Sequence, residues 1–350
     1  MSLEFYSHII NKDETILTAL RKINEIAAGS KALTLFVYDK DCKVVGSITD
    51  GDIRRALVSG ASTADNVTRV TYSDFHYISN INDYKKIRLL KSLNIRLIPV
   101  LSGDGKIKKI VDLTDVETIL PIDAIIMAGG KGSRLKPYTD DTPKPMLDLE
   151  GKPIIAHNID RLIKYGVNNF YISVNHMRDC IKEYLNNNYK HVNIQCIEED
   201  KPLGTIGSAR LVEKFNNEDV LIMNADILTS ISFDDFFYEY KETKRDLLIA
   251  TSGAKIDIPY AVLNVCNGTV SSLTEKPTYT YCSSAGIYLT NKEHLNAILK
   301  NQRFDATDFI CLMLESKKNV GHFPIMGYWI DIGTPQNYAK AKNEIKYVRF

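Results

Sequence analysis

The chain has 350 residues with 44 Lys and Arg against 43 Asp and Glu, a formal charge of +1, at 44% hydrophobic and 25% charged residues. That mix can build two or three cores, and it excludes a global field that would draw the chain to nucleic acid or an anionic membrane; any anion must be held by locally placed bases. No apolar run reaches the roughly 18 residues of a membrane span, and the start, MSLEFYSHIINKDE, lacks a basic segment followed by an apolar one, so the chain reads as cytoplasmic with small-molecule partners.

In chain order, the first feature is a duplication. VYDKDCKVVGSITDGDI at Val37–Ile53 and VLSGDGKIKKIVDLTDV at Val100–Val116 align at an offset of 63, pairing Lys43 with Lys106 and Asp52 with Asp115. Each copy predicts a strand, a turn, a second strand and the opening of a helix. Six cysteines (Cys42, Cys180, Cys196, Cys266, Cys282, Cys311) lack CxxC or CxxH spacing. They are expected to be small buried hydrophobes, with no zinc site and no disulfides.

Pro121 in PIDAIIMAGG opens a second part after a very short linker, which sets domains at residues 1–120 and 121–350. Strands and helices then alternate. Asp123–Met127 reads as a strand, and PIIAHNIDRLIKYG as a helix with Ile155, Ile159 and Leu162 on one face, stopped at Gly166. NFYISVN is a strand, DCIKEYLNNN a helix, HVNIQCIEE a strand, TIGSARLVEKF a helix and DVLIMNADI a strand. This is the pattern of an α/β protein with a mainly parallel sheet covered on both faces. Ligands bind beyond the carboxyl ends of such strands, which gathers Gly129, Gly130, Asn175, Glu198, Glu199 and Asp226 around one crevice.

The stretch MAGGKGSRLKP (residues 127–137) packs three glycines against three bases. Glycines bring backbone N–H groups up to phosphate oxygens while Arg and Lys neutralise charge. The spacing fits neither a P-loop nor the GxGxxG dinucleotide turn. Extended to AGGKGSRLKPYTDDTPKPML, it resembles the signature of the sugar-phosphate nucleotidyltransferases, GGxGxRLxPxT followed by PKP. PLGTIGSA, NADI, EKP, AGIY and YWIDIGTP follow in that family's order. The front duplication, through GSITDGDIRRAL, resembles a pair of CBS motifs. The resemblance therefore implies a mainly parallel, Rossmann-like nucleotidyltransferase domain preceded by a tandem CBS domain of β-β-α repeats.

In that family a sugar 1-phosphate oxygen attacks the α-phosphate of a nucleoside triphosphate in line and expels pyrophosphate, a step that demands positioning and charge neutralisation. Carried over by motif, Arg134 and Lys144 stabilise the α-phosphate and the departing pyrophosphate. Ala128, Gly129, Gly130 and Gly132 shape the nucleotide loop, and Glu199, Gly204 and Thr205 meet the base or ribose. Asp226 and Asp331 hold Mg²⁺, although Ala225 stands where relatives have Gly before the first carboxylate. Glu275, Lys276 and Gly286 take the sugar phosphate, with Ser284 in place of a frequent Asn, so sugar choice does not transfer. Without the resemblance each of these residues also has a plainer role as a surface ion pair, a cap or a turn.

Thr49 and Asp52 match the CBS positions for a nucleotide's phosphate and ribose and equally read as a cap of the helix at Ile53. The second copy offers Asp112 and Asp115, and a carboxylate there repels phosphate. The joined arrangement resembles bacterial guanylyltransferases that activate glucosamine 1-phosphate or related sugars for surface glycans such as legionaminic acid. GTP, a glucosamine or N-acetylglucosamine 1-phosphate and a homo-oligomer are the resulting expectations. A UTP- or CTP-dependent enzyme, a mannose or heptose substrate, and a non-catalytic nucleotide-sensing subunit remain the rival readings.

Overall fold

The computed structural model describes residues 5–348. The chain divides into two units, Met1–Leu120 with Lys164–Gly166, and Pro121–Ile163 with Val167–Phe350. The first contains β1 (Ile9–Asn11), α1 (Ile16–Ala27), β2 (Thr34–Tyr38), β3 (Val44–Thr49), α2 (Asp50–Val58), α3 (Tyr84–Ser92), β4 (Leu97–Leu101) and β5 (Ile107–Asp112).

Here the duplication is visible strand for strand. β2 pairs antiparallel with β3, Thr34 opposite Thr49, with a register shift at Val37/Tyr38. β4 pairs with β5 in the same way, Leu97 opposite Asp112, with its shift at Val100/Leu101. Alternating side chains give each copy its own core, Leu35, Val37 and Ile48 with Ile53 in the first, and Ile98, Val100 and Val111 with Ile87 in the second. The opposite strand faces meet in a shared layer of Ala32, Phe36, Leu97 and Ile110.

The copies part at their ends. Thr49 caps α2, but no helix opens after Asp112, contrary to the expectation of a helix in each copy. Asp112 Oδ1 instead accepts the Thr114 N–H at 2.8 Å, a local side-chain bond that offers the backbone an alternative to a helical turn. Where the first copy has Gly51 the second has Thr114, and Pro121 soon begins the next unit.

The second unit is built on a seven-stranded sheet of order β10-β9-β6-β11-β16-β13-β17. Its members are β6 (Ile122–Met127), β9 (Asn169–Val174), β10 (Asn193–Glu198), β11 (Asp219–Asn224), β13 (Leu247–Asp257), β16 (Thr278–Asn291) and β17 (Val320–Pro324). Only β16 runs against its neighbours, pairing antiparallel with β11 and β13. The helices are α4 (Ile154–Lys164), α5 (Arg178–Asn188), α6 (Phe233–Glu242), α7 (Ala306–Glu315) and α8 (Pro335–Glu344). Short ribbons complete it: β7 (Asp148–Leu149) with β8 (Lys152–Pro153), β12 (Ile227–Thr229) with β18 (Trp329–Asp331), and β14 (Val262–Cys266) with β15 (Thr269–Thr274). The apolar run of β6 is buried from Ile122 to Ile126, as a central parallel strand requires, and Ile155, Ile159 and Leu162 of α4 are buried as their spacing predicts.

Three local expectations fail. TIGSARLVEKF forms only a 3₁₀ turn, Gly207–Leu211. Its start is paired sideways, with Ile206 and Gly207 N–H donating to Phe304 O and Phe304 N–H to Leu203 O. DVLIMNADI is broken after Asn224, so Asp226 sits in the turn between β11 and β12. The six cysteines are free, but only Cys196 is partly buried; the other five are exposed on outward faces or beside turns. Among the described residues no helix is long and apolar enough to cross a membrane.

Candidate active site

The carboxyl ends of β6, β9, β10 and β11 open on a cavity of about 540 Å³ within the second unit. Ala128, Gly129, Gly130 and Gly132 form one wall, on the loop after β6. Ala128 N–H donates to Ser173 O at 3.0 Å, tying the loop to β9. A Cβ on Gly129 would lie 3.2 Å from Glu199 Oε1. Gly132 has φ +64° and precedes the 3₁₀ turn Ser133–Leu135 that carries Arg134; a Cβ there would be 3.0 Å from Lys144 Cβ. This is the close approach and left-handed backbone that glycine alone supplies without strain.

Arg134, Lys144, Asp226 and Asp331 all line the same cavity. Two contacts fix the turn holding Asp226, Ala225 N–H to Met127 O at 3.1 Å and Asn158 Nδ2 to Ala225 O at 3.0 Å. β12 pairs antiparallel with β18, Ile227 opposite Asp331, and Ile332 N–H donates to Asp226 O at 2.9 Å. This ribbon sets the two carboxylates side by side. Trp329 Nε1 donates to Ala285 O at 3.0 Å and anchors β18 to β16.

The charges are unevenly satisfied. Lys144 Nζ makes a close ion pair with the Asp226 carboxylate. Asp331 Oδ1 is buried without a hydrogen-bond partner among the described residues. Burial, and next the Asp226 charge, push the Asp331 carboxyl above its usual range, with Lys144 and Arg134 pulling the other way. Two half-buried carboxylates, one of them with a buried oxygen lacking a partner among the described residues, suit a hard divalent cation, and Mg²⁺ is commonly held by one or two carboxylates plus substrate phosphates. The donor set therefore fits the ion.

Glu199 follows β10, three strands across the sheet from β11; its carboxylate holds the Leu203 N–H, and Gly204 and Thr205 continue the cavity lining from there. Glu199 is 5% exposed; one carboxylate oxygen takes the Ser173 hydroxyl and the other the Leu203 N–H at 3.0 Å. Gly204 has φ +82°, and a Cβ there would fall 2.6 Å from Phe304 O. Thr205 does not open a helix as expected. Its N–H donates to Asp305 Oδ1 at 3.0 Å and its hydroxyl accepts the Ala306 N–H at 2.8 Å. Arg303 and Asp305, which line the cavity here, were not expected from the sequence. The capping box Asp305–Asp308 at the start of α7 was a readable signal for the helix, but not for its clasp on a loop a hundred residues earlier.

Five expected residues lie outside the cavity lining: Asn175, whose Nδ2 donates to Glu199 O, Glu198, which pairs with Arg178 and Lys182 of α5, and Glu275, Lys276 and Gly286. Glu275 and Lys276 occupy an exposed turn between β15 and β16, Lys276 with φ +44°. Beyond its register shift at Ile249/Thr251, the β13–β16 pairing continues as an exposed ribbon, which carries that turn away from the core. Gly286 packs behind the acidic turn: φ is +72°, and a Cβ would meet Ile227 Cδ1 at 2.6 Å and Asn224 Nδ2 at 2.7 Å.

In the first unit Thr49 and Asp52 form a capping box, and Asp52 also pairs with Arg55 at 2.5 Å. Thr49 lines a separate cavity of about 420 Å³ with Tyr72, Phe75, His76 and Arg96; Asp52 is not in that lining.

The nucleotidyl transferase family model matches residues 123–347, and the CBS domain model matches residues 7–59. D-glycero-alpha-D-manno-heptose 1-phosphate guanylyltransferase of Aneurinibacillus thermoaerophilus is 29% identical over 229 residues, 65% of this chain and 99% of that protein. The bifunctional protein GlmU of Methanococcus maripaludis (strain C5) is 33% identical over 63% of this chain, which spans only 54% of that protein. The crystal structure of HddC from Yersinia pseudotuberculosis superposes with a TM-score of 0.52 at 26% identity, covering 64% of this chain and 99% of that one. A further structure of the same protein, complexed with GMP-PN, gives 0.51 at the same identity and coverage. This chain belongs to the nucleotidyl transferase family, with a CBS domain matched ahead of that region in the sequence.

Proposed function

We propose that the chain condenses GTP with a sugar 1-phosphate to form a GDP-sugar and pyrophosphate, residues 121–350 acting as the catalytic domain and residues 1–120 as a CBS regulatory pair. The observation that carries this reading is the buried Asp331 oxygen, without a partner among the described residues, beside the Asp226–Lys144 pair in one cleft. An oxygen of the sugar phosphate attacks the α-phosphorus of the nucleotide, a new P–O bond forms, the bond to the bridging oxygen breaks, and its electrons leave with pyrophosphate. Backbone N–H groups of Gly129, Gly130 and Gly132 cradle the triphosphate, while Arg134 and Lys144 neutralise charge on the α-phosphate and the leaving group. Asp226 and Asp331 would hold Mg²⁺, which when bound supplies charge neutralisation at the phosphate oxygens.

The relatives named as guanylyltransferases, and the HddC complex with GMP-PN, support GTP over UTP or CTP. Glucosamine or N-acetylglucosamine 1-phosphate is the proposed acceptor. A heptose or mannose 1-phosphate is the second reading, favoured by the names of the matched relatives. Glu275 and Lys276 are assigned to the sugar phosphate through their motif alone, and this role requires their exposed turn to come onto the cleft. For the first unit the proposal is a regulatory nucleotide in the cavity lined by Thr49, its Asp52 partner fixing the helix beneath. A non-catalytic subunit is disfavoured because Arg134, Lys144, Asp226 and Asp331 are all retained and all line the cleft.

The decisive measurement is pyrophosphate release by the full chain with GTP, ATP, UTP and CTP against hexosamine, mannose and heptose 1-phosphates, with and without Mg²⁺. Turnover restricted to GTP with one sugar class establishes the assignment. Preference for UTP removes the guanylyl reading, and no release with any pair removes the transferase reading.

A further inference from the structure

We infer that Arg303 selects the nucleotide base, reading the paired acceptors O6 and N7 of a guanine. This deepens the guanylyl reading above and rests on it. At the end of the cleft lined by Gly204 and Thr205, most polar groups are already engaged with one another. The Ser173 hydroxyl and the Leu203 N–H are both spent as donors on the Glu199 carboxylate. The Thr205 N–H and hydroxyl both donate to Asp305 Oδ1, at 3.0 and 3.5 Å, and the hydroxyl accepts from the Ala306 N–H. These bonds shape the wall and leave it few free donors.

Arg303 is the exception. It lines the cavity, its side chain is 75% exposed, and its guanidinium rests on Asp305 Oδ2 at 3.1 Å. Because Asp305 also holds Thr205, the cation is stationed at the loop end of the cleft. The phosphate end is defined instead by Asp331 and the charges that act on it, Asp226, Lys144 and Arg134. A guanidinium presents parallel N–H donors in a planar fork, so it matches two adjacent acceptors. Guanine offers such a pair, O6 beside N7, whereas adenine sets an N–H₂ donor beside N7 and cytosine presents a donor. Arg303 thus favours a 6-oxopurine and sets a donor against a donor for adenine. Its bond to the exposed face of Asp305 is weak enough to be shared with a ligand.

The test compares Arg303→Ala and Arg303→Lys with the parent, full-length in each case. The readings are kcat and KM for GTP, ITP, 7-deaza-GTP and ATP, and equilibrium binding of the same four without a sugar phosphate. Expected for Arg303→Ala is a GTP-to-ATP preference in kcat/KM reduced about tenfold or more. The change falls on KM, and ITP, which shares O6 and N7, weakens as GTP does. 7-Deaza-GTP, already lacking N7, loses less than GTP on substitution. Arg303→Lys, which keeps the charge without the fork, recovers only part of the preference.

An equal loss for all four nucleotides would place Arg303 on the polyphosphate and overturn the inference, as would an unchanged GTP-to-ATP ratio. Failure of the parent to turn over any nucleotide would fail the transferase reading instead. The binding comparison then still decides for or against Arg303.

Discussion

The two ends of the cleft are built on opposite principles. Around Asp331 the polar groups are charged and incompletely matched: one carboxylate is paired with Lys144, and the other has a buried oxygen with no partner among the described residues. Around Thr205 the groups form closed hydrogen bonds, Glu199 to Ser173 and Leu203, Asp305 to Thr205. Unsatisfied charge in a partly buried site stabilises charge that arrives later, whereas satisfied bonds fix a shape. The first end is therefore suited to chemistry and the second to selection. Substitutions at the first should move kcat, and substitutions at the second KM.

The largest expected effect tests that division at its acidic pole. Asp226→Asn should reduce pyrophosphate release about a thousandfold at saturating nucleotide while leaving the fold intact, since the β12–β18 ribbon is held by the backbone of this residue. A drop confined to KM would break the comparison. Next in size are Arg134→Ala and Lys144→Ala, each expected to lower kcat about a hundredfold through loss of one cation facing the phosphates. Lys144→Ala also frees Asp226, so the single losses should not add in the double variant with Asp226→Asn.

Asp331 separates activity from stability. Its ordinary value is 3.8, and in the folded chain burial and Asp226 raise it. A raised carboxylate binds its proton more readily in the folded state, so ionisation above the folded value destabilises the protein, and that loss vanishes as pH falls below 3.8. Asp331→Asn without divalent ion should thus melt above the parent at neutral pH, the gap closing in acid, while kcat falls about a hundredfold. Added Mg²⁺ should raise the melting temperature of the parent more than that of the variant. The acid limb of the parent's activity should move to lower pH as Mg²⁺ is raised, because ion and proton compete for the same oxygens.

How much of this was legible follows the range of the interactions. The front duplication could be read because identical local patterns fold alike, and the backbone repeats the strand register of the first hairpin in the second. The glycine loop could be read because φ +64° at Gly132 and the close approach of Gly129 to Glu199 are demands on single positions. The second copy's missing helix is the exception to that rule: the competing bond is local, from the Thr114 N–H to Asp112 two residues before it, and Thr114 stands where the first copy has Gly51. Arg303 could not be read: its place depends on the clasp between Asp305 and Thr205, which no local pattern encodes. The exposed cysteines show the same limit, because composition predicts how often a side chain is buried, not which face of an element it occupies.

The smallest expected effect is the sharpest test of the selecting end. Thr205→Val keeps the bulk and the N–H that donates to Asp305 but removes the hydroxyl that accepts the Ala306 N–H. That N–H belongs to the first turn of α7 and would be left unpaired in a half-buried place, which costs about 1–2 kcal/mol. The global melt should shift slightly, and the loop should slacken where the base is proposed to lie. KM for GTP should then rise several-fold with kcat unchanged. A fall in kcat with constant KM would mean that this wall takes part in the chemical step, and the contrast between the two ends would be lost.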